Sequence, residues 1–173
     1  MFLKQSRFIS IALSPTSVKV AQVAKTGIVE KVAKQTVDGG GLGVALQRAL
    51  AGFETKNSGI ICTIPGDVAT ANILEVPSAD NAEIESILAL QASRHTPFNK
   101  DEILTSYMNT GSPKPNFTRV LLVIVKREAV KEKLDALRFA GLSSDAVLFV
   151  PEGIARFYAK AFDQKKEAAP VAL

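Results

Sequence analysis

Arg7–Val23 reads RFISIALSPTSVKVAQV. Phe8, Ile9, Ile11 and Leu13 form an apolar run, Ser14-Pro15-Thr16-Ser17 breaks it, and Val18, Val20 and Val23 restart it. An apolar run, a polar turn holding proline and a second β-branched run predict a β-hairpin. The turn matters for what it could hold and for what it lacks.

Downstream, Ile28 to Val37 predicts a third strand. Asp38-Gly39-Gly40-Gly41-Leu42-Gly43 follows. Its glycines suggest a phosphate loop, but the Lys-Ser/Thr that completes one is missing, so the stretch reads as a flexible lead-in to a helix. Leu42, Ala45, Leu46, Ala49, Leu50 and Phe53 share one helical face. Ile60 to Ile64 is a strand ended by Pro65-Gly66, and Val68 to Val76 is another, closed by Pro77. Asp80 and Glu83 stand at capping-box spacing and open a helix that Pro97 must end. Ile103 to Met108 and Thr118 to Val125 are strands, and the near-continuous Val, Leu and Ile of the second imply a sheet centre. Lys126 to Ala140 is a helix with Val130, Leu134 and Leu137 inward and Gly141 as its cap. Ala146 to Val150 is a last strand, and Pro151 opens a final helix with Ile154, Phe157, Tyr158 and Ala161 on one side.

The order from Val68 to Phe149 is therefore βαββαβ, the split βαβ arrangement. It reads as a subdomain inserted at residues 67–149 of an α/β unit formed by 1–66 and 150–173.

Composition narrows function by exclusion. Hydrophobic residues make up 47% and charged residues 22% of the 173, which suits a soluble globular protein. No apolar stretch approaches a membrane span, and Met1 to Arg7 lacks a signal-peptide core, so a cytoplasmic location is expected. The single cysteine, Cys62, excludes an internal disulfide and a cysteine-rich zinc site, and reads as a core thiol. His95, the single histidine, has no HExxH or HxxxH context. No metal site, cofactor site or catalytic constellation is expected. The net charge of +4 is carried by scattered basic residues, apart from Lys126-Arg127 and Lys165-Lys166. A βαββαβ module can bind RNA through aromatics on its central strands, but Thr118 to Val125 carries none, so no nucleic-acid partner is expected.

Three stretches together resemble the amino-terminal lobe of the PilM family, actin-like proteins of type IV pilus assembly related to the cytoplasmic domain of GspL in type II secretion. ISIALSPTSVKVAQV resembles the family's opening hairpin, of pattern I-G-I-D-I-G-x-x-x-V-K-V. VPSADNAEIESILALQASRHTPFNKDEI resembles its strand, helix and Pro-Phe ending, through Val76-Pro77 and Thr96-Pro97-Phe98. VLLVIVKREAVKEKLDALRFAGLSSDAVLFVPEGIARFYA resembles its strand, helix, Ala-Gly-Leu and final helix. The resemblance implies an α/β protein, the first lobe of an actin-like (ribonuclease-H-like) fold. It also implies that Val171-Ala172-Leu173 begins a second lobe and that the sequence is a fragment.

The resemblance carries a consequence for catalysis. It puts the family's phosphate-loop acid at Ala12 and the loop glycines at Ser10 and Ser14, while Pro15 removes a backbone donor. Alanine can neither hold Mg²⁺-bound water nor orient phosphate. What is left is a degenerate phosphate loop of Ser14, Thr16, Ser17 and Lys19. A non-catalytic cytoplasmic scaffold follows, held at the inner membrane through partners. The resemblance implies that a groove between the lobe's two subdomains takes the cytoplasmic amino-terminal peptide of a PilN-type single-span protein. It also points to the assembly or secretion ATPase as a second partner. Phe98 and Tyr107, each near an element end, are the partner-binding candidates. The alternative is a nucleotide-binding actin-like ATPase that works only with its second lobe.

Overall fold

The computed structural model describes residues 5–161, and Val171-Ala172-Leu173 lies outside them. The chain divides into two compact units: the first runs to Pro65 and resumes at Lys133, and the second is Gly66–Glu132.

The opening hairpin is the centre of the first unit. β1 (Arg7–Leu13) and β2 (Ser17–Ala24) pair antiparallel, with Ile11 opposite Val20 and Ala12 opposite Lys19. β3 (Val29–Thr36) continues the antiparallel run on β2. On its other side β1 pairs in parallel with β4 (Ser58–Ile64), and β4 pairs in parallel with β8 (Ala146–Phe149). The sheet order is β3-β2-β1-β4-β8.

Alternation decides which face is core. Ile9, Ile11, Leu13, Val18, Val20, Ile60 and Cys62 turn to one face and are buried there. Two helices cover them: α1 (Gly41–Ala49) with Ala45, Leu46 and Ala49, and α3 (Arg127–Phe139) with Ala136 and Leu137. Each aliphatic side chain buried this way contributes about 1.5–3 kcal/mol.

The glycine-rich lead-in has a packing role. A Cβ at Gly43 would lie 2.5 Å from Cδ1 of Phe139, and the Gln47 side chain donates to the Phe139 carbonyl at 3.2 Å. Gly43 therefore lets α1 approach the end of α3. Asp38 fixes the start of α1: its carboxylate accepts from the Gly40 N–H at 3.0 Å and pairs with Arg48. α3 ends in a Schellman motif, with Leu142 N–H on Leu137 O and Gly141 N–H on Arg138 O, both at 2.9 Å, and Gly141 at φ +76°.

The second unit is a three-stranded antiparallel sheet, β5 (Ala69–Val76), β7 (Thr118–Lys126) and β6 (Ile103–Gly111), in that order. β7 takes the centre, as its composition predicts, but buries only one face, through Val120, Leu122 and Ile124. α2 (Asn81–Gln91) covers that face with Ile84 and Leu88. Its cap is half of the expected box. Asp80 accepts from Glu83 N–H at 2.9 Å, while Glu83 turns to the Ser78 hydroxyl at 2.6 Å. Ser78 then accepts from Asp80 N–H at 3.0 Å. α2 gives way to a 3₁₀ turn at Ala92–Arg94, ahead of Pro97.

The inserted module needs a correction. The expected βαββαβ closes as βαββ, because β8 joins β4 instead of the second sheet. Asp145 directs it there, accepting from Ile60 N–H and donating its own N–H to Ile60 O, each at 2.8 Å. The first unit thus takes in residues from Lys133 onward. α4 (Val150–Ala161) then presents Ile154 and Phe157 to solvent.

Candidate functional site

The turn between β1 and β2 is closed by its own polar groups. Ser14 N–H and Ser14 Oγ both donate to the Ser17 carbonyl, each at 2.9 Å. Ser17 N–H donates to Ser14 Oγ at 3.0 Å. The Thr16 carbonyl accepts from Val37 N–H at 3.0 Å. A phosphate loop works by aiming successive backbone N–H groups at a ligand. Here Ser14 and Ser17 spend theirs inside the turn, and Pro15 has none.

Beside this turn, the structure adds a cation that the sequence reading missed. Lys133 of α3 is buried, and its Nζ donates to the Leu13 carbonyl at 2.6 Å. The same ammonium lies close enough to Cys62 to oppose the effect of burial, which pushes the Cys62 thiol upward. The signal was present in α3: Lys133 falls one turn from Val130 and Leu137, inside the apolar stripe. Leu134, expected inward, is only half-buried.

Lys19 does not join Ser14, Thr16 and Ser17. It points from β2 to the face of the sheet opposite α1, exposed, directly across from Lys34 of β3. The two lysines border a depression of about 420 Å³ floored by Ser10, Ala12 and Ala21. The expected loop is thus split between a closed turn and an open sheet face.

Phe98 and Tyr107 both pack against the core of the second unit and are half-buried. They line separate clefts. Phe98 lies in one of about 380 Å³ with Asp67, Thr70, Thr96, Ile124 and Lys126. There the Lys126 ammonium sits 3.9 Å from the Phe98 ring centroid, a cation–π contact. Tyr107 lies in a cleft of about 580 Å³ with Glu85, Leu88, Thr105 and Leu122. Among the described residues, no cluster of three or more His, Cys, Asp or Glu side chains is placed to hold a metal. No helix among them is long and apolar enough to cross a membrane.

The mixed sheet of the first unit, with its three-stranded second unit, defines an actin-like lobe. Three solved structures carry the comparison. The chain is similar to one described as the PilM-PilN type IV pilus biogenesis complex, with a TM-score of 0.75 and 17% identity over 90% of this chain and 50% of the other. It is similar to the cytoplasmic domain of EpsL, an inner-membrane component of the type II secretion system of Vibrio cholerae, with a TM-score of 0.64 and 15% identity over 83% of this chain and 57% of that one. A protein of Bacteroides thetaiotaomicron with an actin-like ATPase fold and unknown function gives a TM-score of 0.51 and 11% identity over 92% of this chain and 58% of the other. The chain spans about half the length of these structures. The sequence matches no protein-family profile.

Proposed function

We propose that this chain is a non-catalytic scaffold of a type IV pilus or type II secretion inner-membrane platform. The observation that carries the reading is the likeness to the PilM–PilN structure over nine-tenths of the chain. The self-closed Ser14–Ser17 turn and Ala12 at the place of the acid support the absence of ATP hydrolysis. The membrane contact is indirect, through a PilN-type single-span partner whose cytoplasmic amino-terminal peptide docks as an extended, partly apolar segment. The system's ATPase is a second partner.

Within the second unit, the Phe98 cleft suits such a peptide better than the Tyr107 cleft. Its walls combine an aromatic face, aliphatic Ile124 and two opposite charges, Asp67 and Lys126. An apolar anchor would fill it while its backbone meets the polar rim.

Calorimetry with a PilN-type amino-terminal peptide, followed by ATP–Mg²⁺ on the same sample, tests the reading. Micromolar peptide binding without nucleotide heat is expected, weakened at least tenfold by Phe98→Ala and little changed by Tyr107→Ala. Nucleotide binding without peptide binding would reverse the reading toward an actin-like ATPase.

A further inference from the structure

We infer that the outer edge of β6 is a docking site for an extended segment of a separate polypeptide, added to the second sheet as a further strand. A lysine or arginine of that segment meets Glu85 of α2, and its small aliphatic side chains enter the cleft beside Tyr107. This rests on the second unit alone and is independent of the Phe98 cleft.

The sheet edges of the chain are treated unequally. An edge strand exposes a row of unpaired N–H and C=O groups, and proteins blunt it with charge, proline or shortness. In the first sheet, β3 carries Lys31 and Lys34, and β8 has only four residues. In the second, β5 carries Glu75, paired with Arg119. β6 differs: ILTSYMNTG runs nine residues with no charge and no proline. Its bulge between Asn109 and Gly111 ends regular pairing there and leaves residues 103–109 regular. Among the described residues β7 is the one strand beside it, so alternate backbone groups of β6 face outward. Leu104, Thr105, Ser106 and Tyr107 make no backbone bond outside that ladder.

The space beside this edge fits the side chains of an added strand. Thr105 and Tyr107 stand opposite Ile124 and Leu122, so they lie on the face that α2 covers. α2 stops short of the edge: Thr105 is exposed and Tyr107 half-buried. What remains is the cleft of about 580 Å³, walled by Glu85, Leu88 and Ala89, which share one face of α2. A strand paired to β6 sends every second side chain to that same face. Backbone bonds give such a complex its affinity, and the cleft gives it selectivity.

Charge and connectivity choose the occupant. Glu85 is exposed, no cation lines the cleft with it, and it has no ion pair among the described residues. A cation on the incoming strand complements it. Antiparallel pairing of β6 with a second copy would bring another Glu85 to the same side of the joined sheet, so like charge opposes that occupant. The second unit is one uninterrupted stretch, whereas Gln5 and Ala161, at the two ends of the described residues, both belong to the first. The edge therefore lies on a unit that neither end extends, which favours a separate polypeptide.

The test uses ¹⁵N-labelled full chain and three short peptides of alternating Val and Thr. One has a central Lys on the Val face, one has Glu there, and the third is the Lys peptide with all its amides N-methylated. The Lys peptide should shift the amides of Thr105, Ser106 and Tyr107, slow exchange along β6 and bind at least tenfold more tightly than the Glu peptide. The N-methylated peptide should not bind, because it cannot donate to β6. Glu85→Gln should abolish the preference for Lys and Glu85→Lys should invert it, each with an unchanged spectrum elsewhere. Equal binding of the plain and N-methylated peptides, or of the Lys and Glu peptides, would overturn the inference, as would shifts confined to Phe98 and Lys126. So would outward amides of β6 that are already protected in the free chain, or that broaden with protein concentration. Those last outcomes would assign the edge to the chain itself or to a second copy.

Discussion

The Lys133 ammonium donates to the Leu13 carbonyl at 2.6 Å, tying the middle of α3 to the last residue of β1. A lysine this buried must have its charge met, and a backbone carbonyl meets it where the strand stops pairing. Lys133→Met keeps most of the volume and leaves the carbonyl without its donor. Urea unfolding should report a loss of about 1–2 kcal/mol. A neutral result would mean that relief of the buried charge offsets the lost bond.

Gly43→Ala should destabilise by about 1 kcal/mol, although alanine is the better helix former. The added methyl meets Cδ1, Cγ and Cβ of Phe139 at 2.5, 2.7 and 3.0 Å. In Gly43→Ala/Phe139→Ala the two ring contacts are gone, only the Cβ contact at 3.0 Å stays, and the propensity gain remains, so this double variant should be more stable than Gly43→Ala alone. Thermal denaturation of both decides it.

Asp38 gives stability that is lost on the acid side. The Gly40 N–H, and then Arg48, hold its carboxyl below the usual value of 3.8. A depressed acid contributes above its unfolded value, and the contribution is lost as pH falls through the folded one. Asp38→Asn should therefore lower Tm at pH 7, and the gap should close once both chains are measured well below 3.8.

Cys62 acts on the alkaline side. Burial pushes its thiol above the usual 9.0, with Lys133 opposing. A raised group contributes below its unfolded value and loses that contribution as pH rises through the folded one. Stability should fall more steeply above pH 9.0 in the parent than in Cys62→Ala. The thiol should react with Ellman's reagent only at the rate of unfolding.

Asp145→Ala removes the acceptor of Ile60 N–H. A cost of about 1–2 kcal/mol is expected, and amide exchange at Ile60 should accelerate before that of Ile11 in β1, the neighbour of β4 on its other side.

Much of this was legible because hydrophobic period reports local structure. The hairpin at Arg7–Val23, the central position of Thr118–Val125 and the Gly141 cap all depend on residues near in sequence. β8 was misassigned because its pattern fits either sheet; the partner is chosen by Asp145 meeting Ile60 across 85 residues. Gly43 read as flexibility because its reason, the Phe139 ring, lies on another helix. The site was less legible for the same cause. Ala12 and Pro15 could be read directly as losses, but the internal satisfaction of Ser14 and Ser17 is a matter of geometry. The pairing of Lys19 with Lys34 depends on the register of β3, which no spacing in the chain displays.

The split of the five-stranded sheet around a continuous second unit sets an order of events during synthesis. Ile60 leaves the ribosome 85 residues before Asp145. By then Gly66–Glu132 is complete and able to fold, since all of its strands pair within that stretch. Until Ala146–Phe149 emerges, β4 is an uncovered parallel edge beside an unfinished core, the state in which nascent chains associate wrongly. The late arrival of four residues therefore determines how long that edge stays open in a newly made copy.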